Sequence, residues 1–214
     1  MKINPGIKEA IEWIICIVVA ITIALLVRYY IGTPTVVESV SMKPTLVAGQ
    51  RLWLSRWTRT TKQMPKRGDI ITFEAPSKIS INQEEVNLEN PVAKYEYKPE
   101  GLWNKFEYYI METSKTSYIK RVIALPGEHV EIKEGSVFIN GKKLEEEYLA
   151  DGIVTDMERG YYNNFIVPEN TVFALGDNRT QSTDCRVFGC VPLEKIESKL
   201  LFRFWPFNLF GKVD

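Results

Sequence analysis

The chain reads as a mostly β protein preceded by one N-terminal transmembrane helix, and three observations carry that reading. Its 214 residues are 45% hydrophobic and 12% aromatic, enough to bury a core in one large domain or two small ones. The only strongly apolar segment, residues 13–27, carries no charge and lies near the start. Beyond residue 41 the apolar residues fall into short runs separated by turn residues, as in strands.

Composition also excludes. Lys and Arg together number 27, as do Asp and Glu, so no net field favours nucleic acid as a partner. Three cysteines are too few for a disulfide scaffold. Cys16 falls inside the apolar segment, which leaves Cys185 and Cys190 as the one pair that could bridge. Their C-x-x-x-x-C spacing has no companion histidines and is a poor zinc signal. No metal and no cofactor is expected.

Residues 1–8 are a short N-terminus with Lys2 and Lys8, and 9–31 are the anchor. Its uncharged core is about fifteen residues, against about twenty for a full span, but Arg28 can snorkel and Tyr29, Tyr30 and Ile31 extend the apolar length. A cleaved secretory signal has the same basic start and apolar core, yet no Ala-x-Ala-like site follows closely. A retained anchor is the reading. The lysines before the span, partly offset by Glu9 and Glu12 and set against Arg28 after it, put the N-terminus in the cytoplasm and residues 32–214 outside.

Three short strands are expected next: 50–56 with its apolar centre, 69–73 after the turn Lys66-Arg67-Gly68, and the aromatic-rich 106–111. Residues 76–105 are charged, poor in periodicity and broken by Asn90-Pro91 and Pro99-Glu100-Gly101. They read as an inserted surface excursion, to which no chemistry is assigned. Glu134-Gly135 joins 130–133 to 136–139 as a hairpin, and Asn140-Gly141 closes the next reversal. Residues 145–164 are polar and irregular, and 171–175 form a strand. The tail Phe202-Arg203-Phe204-Trp205-Pro206-Phe207-Asn208-Leu209-Phe210 suits a membrane-interface segment or core packing equally.

Chemistry is suggested first by Ser39-Val40-Ser41-Met42-Lys43-Pro44-Thr45-Leu46, just beyond the anchor. Ser41 is the candidate nucleophile, and a serine needs a base to take its proton. The single histidine, His129, lies where a turn enters a charged strand and reads as a surface residue. The other base open to a serine is a neutral lysine. Lys120 lies in Tyr118-Ile119-Lys120-Arg121-Val122-Ile123-Ala124, where period-two alternation puts it on the face of Tyr118, Val122 and Ala124. Burial there would lower its pKa as a base requires; alternatively the side chain snorkels to the strand edge. The run from Gly176 to Asp184 places aspartates and hydroxyls directly after a strand. It reads either as a network supporting a site or as a solvated loop.

These stretches, together with Arg67-Gly68-Asp69-Ile70 and the order Gly176-Asp177-Asn178-Arg179 through Asp184-Cys185-Arg186, resemble the type I signal peptidases. The lone anchor before the serine is similar to the one-span bacterial form. The resemblance implies two connected antiparallel sheet regions in an extracytoplasmic catalytic domain that rests a hydrophobic surface on membrane lipid. It implies a serine endopeptidase that cuts signal peptides from secretory preproteins after small residues. By the same resemblance Ser41 attacks, Lys120 is the general base, and Ser39 joins the Ser41 N–H in the oxyanion hole. Ser182 then orients the lysine amine, and Asp177, Arg179, Asp184 and Arg186 form the supporting network. Cys185 stands where serine is common. Two other readings stay open: a dedicated Ser/Lys peptidase maturing a pilus or conjugation protein, and a non-catalytic membrane-tethered β domain.

Overall fold

The computed structural model describes residues 5–79, 86–112, 115–157 and 160–213. The chain opens with helix α1 (Pro5–Tyr30), which buries none of its residues. Its 26 residues rise about 39 Å, and it is long and apolar enough to cross a membrane. The helix begins ahead of the uncharged run because Lys8 and Glu12, four apart and 3.8 Å from each other, support one more exposed turn.

Eleven strands follow among the described residues: β1 (Gly32–Val36), β2 (Arg51–Ser55), β3 (Ile70–Glu74), β4 (Ser117–Ala124), β5 (His129–Lys133), β6 (Ser136–Ile139), β7 (Lys142–Lys143), β8 (Asn164–Ile166), β9 (Thr171–Leu175), β10 (Val191–Pro192) and β11 (Ile196–Trp205). Short helices α2 (Trp57–Thr61), α3 (Leu102–Phe106) and α4 (Cys185–Phe188) lie between them. The strands make a seven-stranded sheet in the order β1-β2-β11-β3-β4-β9-β10 and a four-stranded sheet in the order β7-β6-β5-β8. The pairings within both sheets are antiparallel. This matches the architecture expected from the sequence.

Burial explains which strands sit where. β3 and β9 are buried along their whole length, as central strands covered on both faces are, whereas β5 and β6 alternate as a one-sided sheet does. The larger core joins the two sheets, packing Ile71, Phe73, Val122 and Phe173 against Val130, Val137, Ile139 and Phe165. The hairpin is as expected, with Val130 opposite Ile139 and Lys133 opposite Ser136. Its turn is closed by Glu134 and Gly135, at φ 52 and 70°.

Two expectations are corrected. Residues 106–111 are not a strand: Phe106 ends α3, and Glu107–Met111 continue it as a π-helix. Among the described residues no strand pairs with this segment, so the backbone satisfies its own hydrogen bonds despite the aromatic content. Cys185 and Cys190 do not pair. Both are free, buried thiols, Cys185 at the start of α4 and Cys190 just beyond its end, and Cys185 Sγ accepts the Ala174 N–H at 3.2 Å instead.

Candidate active site

Ser41 lies on the turn between β1 and β2. Met42 and Leu46 are fully buried and pin that turn into a second, smaller core with Val37, Leu52, Leu54, Ile70 and Leu200. The Leu46 N–H donates to Met42 O at 2.8 Å and closes the turn. Apolar packing after the serine therefore holds its hydroxyl in place, 7% exposed.

Lys120 reaches this hydroxyl from β4, where it stands opposite Ile71 of β3. Its Nζ is 2.9 Å from Ser41 Oγ and donates to Ile119 O at 3.0 Å. The lysine is 3% exposed, and its Nζ lies 5.2 Å from the centre of the Tyr118 ring. Burial lowers its pKa from 10.5 to about 8, while Asp184, Cys185 and Asp177 pull it part of the way back. Both aspartates are themselves held by arginines. Arg186 Nε donates to Asp184 Oδ1 at 2.9 Å, and Arg121 Nε and Nη2 donate to Asp177 at 3.0 and 2.9 Å. Spending their charge on guanidinium groups weakens their pull on the lysine.

The 176–186 segment threads close beneath the nucleophile. The Asn178 N–H donates to Ser41 O at 3.0 Å, and Asn178 Nδ2 donates to Val40 O at 3.1 Å. Gly176 permits this approach: a Cβ there would collide with Ser41 O and with the Ser182 side chain. The Gly176 N–H is taken by Asp184 Oδ2 at 3.1 Å.

A cleft of about 550 Å³ runs from Ser39 and Lys120 to Arg28, at the end of α1, and Glu112. One wall is β1, the terminal strand of its sheet. The other includes Ser117, Tyr118, Ile119 and Lys120. β9 pairs with β4 only from Arg121 onward, so that stretch of β4 has an edge free of β9. Two strand edges thus border a groove that ends at Ser39 and Lys120.

The family described as signal peptidase, peptidase S26, matches residues 10–205. This chain belongs to the signal peptidase family. Signal peptidase I of Bacillus licheniformis is 31% identical over 209 residues, covering 95% of this chain and 92% of that protein. Signal peptidase IB of Staphylococcus aureus is 31% identical over 216 residues, covering 95% and 93%. A crystal structure of a signal peptidase I from Enterococcus faecalis, 27% identical, covers 64% of this chain and 97% of that one at a TM-score of 0.41. As a family member the chain is a serine endopeptidase, a hydrolase.

Within this signal peptidase fold the residues singled out in the sequence divide into three groups. Ser41, Lys120 and Ser39 come together, with the Ser39 and Ser41 hydroxyls 3.1 Å apart. Ser182 is buried nearby, but its hydroxyl makes no hydrogen bond in the structure, and none to Lys120, whose Nζ already meets Ser41 and Ile119. Asp177, Arg179, Asp184 and Arg186 are all buried; Arg186 Nη2 donates to Arg179 O at 2.6 Å and Arg179 Nε to Gly176 O at 3.1 Å, so three of them are linked, while their carboxylate partners differ. Asp184 pairs with Arg186, whereas Asp177 pairs with Arg121 and accepts the Thr45 hydroxyl at 2.6 Å. Arg179 pairs with Glu146 and meets the Thr155 hydroxyl. Arg121, Thr45, Glu146 and Thr155 were missed by sequence reasoning. Arg121 had a signal, since a second cation beside Lys120 inside a β-branched run also needs a partner. Glu146 and Thr155 lay in a stretch without periodicity and had none. His129 is in the smaller sheet, its Nε2 2.7 Å from Asn164 Oδ1.

Proposed function

We propose that this chain removes N-terminal signal peptides from secretory preproteins, with Ser41 as nucleophile and neutral Lys120 as general base. The observation that carries the reading is the 2.9 Å contact between Lys120 Nζ and Ser41 Oγ, made by a lysine that burial has brought to about 8. An extended substrate lies in the cleft as an added strand between β1 and β4, main-chain hydrogen bonds supplying affinity. The Ser41 Oγ–H proton passes to Nζ as Oγ attacks the scissile carbonyl. The oxyanion is met by the Ser41 N–H and by Ser39 Oγ once that hydroxyl turns away from Ser41. Lys120 then gives its proton to the departing amine, leaving an acyl-enzyme that water hydrolyses by the same relay. Ser182, buried and unpartnered, supplies an acceptor for the remaining N–H of the neutral amine, and the Asp177, Arg179, Asp184 and Arg186 pairs hold the walls.

In this reading residues 9–31 anchor the protein, 1–8 stay in the cytoplasm, and 32–214 face outward with 76–105 as an insertion. The cleft then runs from the membrane exit at Arg28 toward Ser41, the path a cleavage point emerging from a membrane-bound signal helix would take. A non-catalytic domain would have no use for a lysine buried against a serine. The test is cleavage by the full chain, in vesicles, of a preprotein with small residues at the third and first positions before the bond. Wild type should cut at that bond, and Ser41→Ala and Lys120→Arg should not, since arginine keeps its charge. Cleavage by either variant at the wild-type rate would remove the dyad.

A further inference from the structure

Residues 102–111 form a continuous helical segment that presents its apolar stripe away from the protein. Leu102, Phe106 and Tyr109 recur at i, i+4 and i+7 with Trp103 beside them, so they share one face. An amphipathic surface helix normally turns that face inward. Here Leu102 is 91% and Trp103 73% exposed, and Phe106 and Tyr109 are exposed too. The residue that buries itself against the body is Tyr108, on the opposite side. Lys98 and Lys105, both exposed, flank the stripe.

The position of this segment says what covers it. Its last residue is tied to the end of α1: Arg28 Nη2 donates to Met111 O at 2.8 Å. The following Glu112 is gripped by Arg56 and Arg59, and the Arg59 guanidinium lies 4.7 Å over the ring of Tyr29 in the last turn of α1. At about 1.5 Å per residue, Trp103 stands only about 12 Å along the segment from that junction. An outward face of Leu, Trp, Phe and Tyr beside the end of an apolar helix, with Lys98 and Lys105 as well as Glu100 and Glu107 at its margin, has the interfacial aromatics of a segment lying in a lipid headgroup boundary.

We propose that residues 102–111 are a second membrane-contacting element, which lays Leu102, Trp103 and Phe106 into the outer leaflet of the bilayer that α1 crosses. The inference rests on α1 being a retained anchor. Contact at both places fixes the rotation of the catalytic domain about the α1 exit, which a single helix leaves free.

The test uses the full chain in phosphatidylcholine vesicles, carrying an environment-sensitive fluorophore on one cysteine at a time. Native Cys16, exposed on α1, reports the anchor. Trp103→Cys and, as control, Lys143→Cys on β7 are each made with Cys16→Ser; Cys185 and Cys190 are buried. The proposal expects emission from position 103 to shift to the blue, to lose intensity to a nitroxide on the lipid acyl chain, and to resist aqueous iodide. Position 143 should respond to iodide alone. If position 103 behaves like 143 while Cys16 is quenched by the lipid nitroxide, the proposal fails and the anchor stands. If Cys16 too escapes the lipid nitroxide, the anchor reading falls and takes the proposal with it. A blue shift at 103 that follows protein density and ignores the nitroxide would mean contact with a second copy, and would overturn the proposal.

Discussion

In the proposed mechanism Lys120 must be neutral before it can take a proton from Ser41, and the free energy of reaching that state depends on its pKa. At about 10.4 only ~0.04% of a lysine is neutral at pH 7, a cost of about 4.6 kcal/mol. At about 8 roughly a tenth is neutral and the cost falls to about 1.4 kcal/mol. The ratio kcat/KM is therefore expected to rise with pH through a midpoint near 8. His129→Ala should leave that profile in place, and a profile lost with His129 and kept in Lys120→Ala would reverse the assignment. The same shift has a stability consequence of the opposite sense. A lysine whose folded pKa is depressed stabilises the fold only above its unfolded value near 10.5 and penalises it as pH falls toward 8. Lys120→Met should then raise stability at pH 7 by about 3 kcal/mol while abolishing activity, and the gain should shrink as pH approaches 10. Denaturant midpoints at two pH values measure it; an unchanged difference between them would mean that Lys120 folds without a depressed pKa.

Among the elements, the Ser41 turn and the 176–186 segment depend on each other through backbone contact. The Asn178 N–H to Ser41 O bond requires the chain at Gly176 to come closer than any side chain allows. Gly176→Ala should displace Ser41 from Lys120, and a shift of about 1 Å can cost a hundredfold in rate. Because the turn is also held by Met42 and Leu46, activity should fall much further than melting temperature. Wild-type kcat in that variant would show that this approach does not position the nucleophile. The turns of the smaller sheet are more local in origin. Asn140 and Gly141 hold φ of 51 and 77°, which their residue types accept without strain.

For the whole molecule, orientation across the membrane decides whether the cleft can meet an exported chain. With the N-terminus inside, protease added to intact spheroplasts should cut within 76–105, whereas protection there together with cleavage near residues 1–8 would reverse the topology. The cleft and the 102–111 segment both reach the end of α1. The end of α1 therefore also sets where the groove begins.

What the sequence determined by itself is what nearest neighbours along the chain can specify. The apolar run became α1, the two turn pairs became reversals, and strand 171–175 appeared with the bounds its β-branched residues suggested. The serine, the lysine and the buried polar residues could be named from motif order. Which of them touch was decided only in three dimensions, because the partners lie far apart in the chain: 79 residues separate Ser41 from Lys120, 56 separate Arg121 from Asp177, and 33 separate Glu146 from Arg179. Alternation could not settle whether Lys120 was buried or snorkelling, since Lys120 to Ala124 are buried on both faces of β4. That double burial exists only once β3, β9 and the smaller sheet have packed together, and the same packing removes water from the amine and lowers its pKa.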